Sequence, residues 1–232
     1  MKLSIIIPVY NEKNTIKKLL SIVDGVNLGE IEKEIIVIDD KSSDGTSQIL
    51  SSVKDKYKVI LKDKNEGKGS AVKIGFLEST GDIILIQDAD LEYNPEEYSE
   101  LISPIIDNRA DVVYGSRFIS NKPHRVLYFW HSIGNRFITL LSNIFTNLTF
   151  TDMETCYKVF NRRALDLIKN RIESKRFGIE PEITALVSKN NLRIYEVGIS
   201  YYGRTYQEGK KINWKDGLAA IWFIIKYNLL KK

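Results

Sequence analysis

Short apolar runs alternate with helix-period segments through the first half of the chain. Leu3–Val9, Glu34–Ile38, Lys58–Leu61, Asp82–Gln87 and Asp111–Tyr114 read as strands, each a compact run of mostly Ile, Val and Leu bounded by polar or glycine-containing turns. Segments 14–23, 44–54, 68–79 and 95–107 place apolar residues at helical spacing between them. Strands alternating with helices predict an α/β domain, with a mostly parallel, Rossmann-like central sheet covered by helices on both faces. In such a sheet ligands gather beyond the carboxyl ends of the strands. The loops that follow each strand are therefore where chemistry is expected.

Those loops carry the polar motifs of the chain. Pro8-Val9-Tyr10-Asn11-Glu12 closes the first strand, and Asp39-Asp40-Lys41-Ser42-Ser43-Asp44-Gly45 closes the second. Asn65-Glu66-Gly67-Lys68-Gly69 follows the third. After the fourth comes Asp88-Ala89-Asp90-Leu91-Glu92, whose three carboxylates alternate. In extended backbone that spacing sets all three on one face, where they repel unless protons or a divalent cation neutralise them. A Mg²⁺ or Mn²⁺ site formed by Asp88, Asp90 and Glu92, which also holds a diphosphate, is the economical reading. The competing reading is that Asp-x-Asp only caps the helix begun by Pro95. Paired carboxylates at 39 and 40 suit nucleoside recognition. Gly67-Lys68-Gly69 is too short for a phosphate-binding P-loop, and its glycines are expected to let backbone approach a nucleotide closely.

Composition adds limits. With 232 residues, 43% hydrophobic and 28% charged, the chain is an ordinary globular protein long enough for one large domain. One cysteine, Cys156, excludes an internal disulfide framework and suits a reducing compartment. A net charge of +4 fits phosphate-bearing partners without calling for nucleic acid. The opening apolar run is too short for a signal peptide. Polar residues interrupt Phe129–Phe150, so that segment is expected to lie against the core or a bilayer surface rather than span it. From Trp214 to Leu230, an apolar stripe of Trp214, Leu218, Ile221, Trp222, Ile225 and Leu229 predicts a C-terminal helix. Packing on the catalytic domain and docking on anionic lipid are both open for it. The expected division is a catalytic domain at 1–212 and this helix at 213–232.

The ordered set of motifs resembles family-2 glycosyltransferases of the GT-A fold, and within them the polyprenyl-phosphate sugar synthases. The likeness rests on 6–12, 37–46, 65–69, 88–92 and Gly115-Ser116-Arg117-Phe118, and extends to Thr151–Phe160 and Glu208–Ile212. It implies nucleotide recognition by Pro8, Tyr10, Glu12, Asp39 and Asp40, joined by Lys68, Asp88 and Ala89 on the donor side. It implies metal ligation by Asp88, Asp90 and Glu92, the last replacing a glutamine in mannose synthases. It implies an acceptor phosphate met by Arg117, with His131, Asn135, Arg136, Lys210 and Lys211 adding contacts. Asp90, Asp152 and Arg117 are then the catalytic residues.

The activity so implied is inverting, metal-dependent transfer of a hexose from GDP-mannose or UDP-glucose to a polyprenyl or dolichyl monophosphate, by a protein peripheral at the cytoplasmic face of a membrane. A phosphate nucleophile needs little help from a base, whereas an alcohol acceptor would give Asp152 that task. A glycan or other soluble acceptor is the alternative within the enzyme class, and a non-catalytic sugar-nucleotide-binding module is the alternative outside it. A nucleotidyltransferase is disfavoured, because the loop after the first strand has neither glycine nor base.

Overall fold

The computed structural model describes residues 1–126, 128–205, 207–208 and 214–231, with backbone alone at 214 and 215. Seven strands form one sheet: β1 (Lys2–Val9), β2 (Glu32–Asp39), β3 (Lys58–Leu61), β4 (Ile83–Ile86), β5 (Val112–Ser116), β6 (Lys158–Asn161) and β7 (Ile194–Gly198). Their order is β3-β2-β1-β4-β6-β5-β7. All neighbours run parallel except at β6, which is antiparallel to both β4 and β5.

The helices are α1 (Ile16–Gly25), α2 (Thr46–Ser51), α3 (Lys68–Glu78), α4 (Tyr98–Ile106), α5 (Phe129–Thr146), α6 (Arg162–Ile168), α7 (Ile179–Lys189) and α8 (Trp214–Ile225). Central β1 is buried from Leu3 to Val9 because both sheet faces are covered. On one face α3 presses so closely on it that a Cβ at Gly75 would stand 2.3 Å from Ile6 Cγ2. Only glycine allows that approach. Register pairs Val9 with Asp39 and Asp39 with Leu61, while Ile6 faces Ile86. The polar loops after β1 to β4 consequently emerge along one edge of the sheet.

The five expected strands are present, and β6 and β7 extend the sheet beyond Tyr114. Strand β6 hides a lysine: Lys158 is 1% exposed, its ammonium donates to the carbonyls of Met153 and Thr155, and it lies 4.7 Å from the Tyr114 ring centre. Burial lowers its pKa. A polar letter in a core strand conceals the strand from hydrophobic patterning.

The C-terminal helix exists, but its inward face differs from the expected stripe. Helix α8 and the wider turn after it, Lys226–Leu230, pack on α5 and α7 through Ala220, Ile224 and Tyr227. Leu218, Trp222 and Leu229 of the expected stripe are instead exposed. Tyr227 is fixed further by its hydroxyl contact with Ser174 at 2.7 Å. Among the described residues no helix is long and apolar enough to cross a membrane.

Candidate active site

Beyond β4 the chain does not continue as the extended strand that the alternating carboxylates suggested. Leu91 takes a left-handed conformation, φ 64°, and the Asp90 carboxylate accepts from the Glu92 amide at 3.1 Å, closing a turn. Asn94 caps the short helical turn at Pro95 by accepting from Glu96 N at 3.2 Å. The capping role proposed for Asp-x-Asp thus falls to another residue. Beneath the turn Gln87 holds the strand end, since the hydroxyls of Tyr98 and Tyr157 both donate to its Oε1 at 2.7 Å.

Two cations divide the triplet. Lys68, at the start of α3, lies 3.0 Å from Asp88 and 3.0 Å from Glu180 of α7. Arg204 occupies the other half. Its guanidinium lies 3.2 Å from Asp90, 3.3 Å from Glu12 and 3.6 Å from Glu92, and its amide donates to Glu92 at 2.7 Å. No group of three metal-ligating side chains is already gathered for an ion among the described residues. The chemistry of the donor set still fits one: Asp90 and Glu92 of the triplet converge with Glu12 on a single cation, and Asp88 stands two residues before Asp90 on another. Burial first, and then the charges of Asp88 and Glu92, push the Asp90 carboxyl up to about 7. That is the environment a divalent ion would relieve.

Arg204 was not found from the sequence. It belongs to a strap that begins where Ser200 N donates to Glu97 at 3.0 Å. The strap continues through Tyr201, whose hydroxyl donates to Glu92 at 2.8 Å, and Tyr202, whose amide donates to the Glu92 carbonyl at 2.9 Å. Its signal is a lone arginine after the last strand, just ahead of Glu208-Gly209-Lys210-Lys211. If Asp90 and Glu92 ligate a metal, the guanidinium that now pairs with them would compete with it, and Arg204→Gln should tighten Mn²⁺ binding severalfold without nucleotide. Calorimetry on the nucleotide-free protein measures this, and unchanged affinity would show that Arg204 does not guard the site.

The nucleotide-side residues are placed unevenly. Glu12 points into the carboxylate cluster, whereas Pro8 and Ala89 are buried beside it and Tyr10 is exposed at 41%. Asp39 accepts from the Ser42 and Ser47 hydroxyls at 2.5 Å each. Asp40 accepts from Lys62 at 2.5 Å and from the amides of Glu66 and Gly67 at 3.0 and 2.6 Å. It therefore ties the loop after β2 to the loop after β3. The glycines of that second loop make room for protein instead of nucleotide: a Cβ at Gly67 would lie 2.6 Å from Lys175 O, and one at Gly69 2.3 Å from Ser174 O.

On the opposite side Arg117 and Asp152 form a forked ion pair. Arg117 Nε and a terminal nitrogen donate to the two Asp152 oxygens at 2.6 and 2.7 Å, and the Arg117 amide adds a bond at 3.1 Å. Asn135 of α5 completes the shell at 3.2 Å. The Asp152 side chain is 0% exposed. Arg136 lies over the Phe118 ring at 5.6 Å, and His131 packs against Tyr128 at 5.4 Å. Of the proposed acceptor contacts, Arg117 and Asn135 meet at Asp152, while Arg136 and His131 pack on aromatic rings. Lys210 and Lys211 lie outside the described residues.

Residues 4–168 match the model of glycosyl transferase family 2, and the chain belongs to that family. Dolichol-phosphate mannosyltransferase of Pyrococcus furiosus is 41% identical over 121 residues, covering 51% of this chain and 34% of that protein, so the chain spans about a third of that relative's length. UDP-N-acetylglucosamine–dolichyl-phosphate N-acetylglucosaminyltransferase of Methanococcus voltae is 27% identical over 97% of this chain and 94% of its own. Sequence thus relates the chain to the dolichol- and polyprenyl-phosphate sugar synthases. Among solved structures, glucosyl-3-phosphoglycerate synthase from Mycobacterium tuberculosis with Mn²⁺, UDP and phosphoglyceric acid superposes with a TM-score of 0.75 at 17% identity, covering 98% of this chain and 78% of that one. That likeness shows the GT-A-like fold.

The acceptor expected from sequence, a polyprenyl or dolichyl monophosphate, is corrected by this comparison. Structures that match nearly the whole chain are of glucosyl-3-phosphoglycerate synthase in complex with phosphoglyceric acid, a soluble molecule. Arg117, assigned to a lipid phosphate, is here committed to Asp152. The membrane surface expected as a partner is set aside with the lipid.

Proposed function

We propose that this family-2 glycosyltransferase moves a hexose from a nucleoside-diphosphate sugar to a soluble acceptor, with a divalent metal. The observation that carries this reading is the convergence of Glu12, Asp90 and Glu92 on one cation, beside the Lys68–Asp88 pair, at the carboxyl ends of β1 and β4. Asp88, Asp90 and Glu92 would hold Mg²⁺ or Mn²⁺, which supplies Lewis-acid stabilisation for a departing diphosphate. Pro8, Tyr10, Glu12, Asp39, Asp40 and Ala89 line or shape the nucleotide side. Arg204, freed from the carboxylates when the donor enters, carries its charge to the diphosphate. Complexes with UDP and UDP-glucose in the structures of the same fold support a nucleoside-diphosphate donor.

On the acceptor side Arg117, Asp152 and Asn135 act as one unit. A hydroxyl acceptor has a proton to lose, and Asp152 takes it once its pairing with Arg117 opens. In-line attack on the anomeric carbon then inverts it. The catalytic unit in this reading is 1–212, and α8 docks on its helices α5 and α7. A cytoplasmic site suits the free, buried Cys156.

Release of nucleoside diphosphate from a panel of UDP- and GDP-hexoses, with soluble hydroxyl acceptors that include phosphoglycerate, tests the proposal. Turnover should require both a divalent metal and a soluble acceptor. Absence of release and of binding for every donor would overturn it.

A further inference from the structure

Among the described residues, Glu154 is the carboxyl with a buried oxygen that no hydrogen bond reaches. Its Oε1 is fully buried and accepts no hydrogen bond, and the side chain makes neither hydrogen bond nor ion pair among the described residues. The residue as a whole is only partly covered. Thr155 Oγ1, Ser200 Oγ and Arg204 Nε are also buried without a hydrogen-bond partner among the described residues, but Glu154 supplies the carboxyl of that set, and an orphaned buried carboxyl oxygen calls for a partner from outside the chain.

The neighbourhood shows which partner. Asp152, two residues earlier, has both oxygens occupied by Arg117 and Asn135. Lys158 grips the backbone on either side of Glu154 through the carbonyls of Met153 and Thr155, which fixes where Glu154 leaves the chain. From the surrounding elements, Glu180 of α7, Lys158 of β6, Arg117 after β5 and Asp152 all act on its charge. Glu180 is in turn held by Lys68, which also holds Asp88. Glu154 thus neighbours both Glu180, which shares Lys68 with Asp88 on the donor side, and the Arg117–Asp152 unit assigned to the acceptor. The group that must lie between a diphosphate and an acceptor is the sugar.

We infer that Glu154 reads the donor: its carboxyl hydrogen-bonds a hydroxyl of the transferred hexose and sets which epimer is used. The inference rests on the nucleotide-sugar reading above. Burial first, and then the charge of Glu180, push this carboxyl up to about 8. Near neutrality it keeps a proton and can donate as well as accept, so it distinguishes a hydroxyl by position and not by charge. A site built to bond a hydroxyl discriminates strongly against a sugar that presents none there.

The test is Glu154→Gln in the intact chain, with Mn²⁺, by calorimetry against UDP- and GDP-hexoses, their epimers and the bare nucleoside diphosphates. Nucleoside diphosphate should bind as in wild type, the preferred sugar nucleotide about 10-fold more weakly, and the ratio between epimers should collapse toward one. Unchanged epimer ratios, or equal loss for diphosphate and sugar nucleotide, would overturn the assignment. A second reading needs no variant: the wild-type epimer ratio should flatten from about pH 6.5 to about pH 9 as the carboxyl loses its proton, and a ratio constant over that range would overturn it equally. Wild type that binds no sugar nucleotide at all would instead remove the underlying functional reading.

Discussion

Asp90→Asn is expected to leave a folded protein whose metal-supported turnover falls by about 10²–10³-fold, the scale on which one preorganised charge stabiliser acts. The substitution keeps the volume and the turn at Glu92 N, which an amide oxygen can still accept. What disappears is the charge that meets Arg204 now and a divalent ion when one binds. Calorimetric Mn²⁺ affinity should weaken in parallel. Stability should move the other way. The wild-type carboxyl is pushed up to about 7, so the folded state binds its proton more tightly than the unfolded chain does. Metal-free wild type therefore loses stability as pH rises from the ordinary carboxylate range toward 7. D90N removes that loss. Urea titrations at about pH 5 and about pH 8 should show a smaller difference for the variant, and turnover near wild type in excess Mn²⁺ would exclude the residue from the metal site.

Arg117→Ala should be the most destabilising single change at the site, by about 3–5 kcal/mol, because it leaves Asp152 charged, fully buried and short of its forked partner. Among the described residues, only Asn135 and the backbone amide of residue 117 would remain to it. Arg117→Lys keeps the charge but presents a point donor in place of a planar fork, so it should cost less in stability while still disturbing acceptor use. Urea unfolding measures the first effect. Acceptor KM against donor affinity measures the second. A loss below about 1 kcal/mol for the alanine variant would mean that the pair is solvated in solution and behaves like an exposed ion pair.

Hydrophobic patterning by itself determined the α/β class, the first five strands and the placement of polar loops at their carboxyl ends, because continuous apolar runs record burial on both faces of a parallel sheet. Motif order determined the family. Patterning could not show β6, since Lys158 is a core residue whose ammonium is capped by carbonyls that come near only in the fold. Nor could it show that Gly67 and Gly69 accommodate the Ser174–Arg176 segment, more than a hundred positions away in sequence.

The site divides along the same line. Asp88, Asp90 and Glu92 were legible as neighbouring carboxylates at a strand end, but a turn at Leu91 replaces the pleat and Lys68 and Arg204 divide them. Their partners were decided by tertiary structure alone. Arg204 meets Glu12 across 192 residues, Arg117 meets Asp152 across 35, and among the described residues Glu154 is left with a buried oxygen that accepts no hydrogen bond. Spacing along a chain reports which residues share a face; which charges neutralise one another depends on distances that exist only after the sheet and its covering helices have closed.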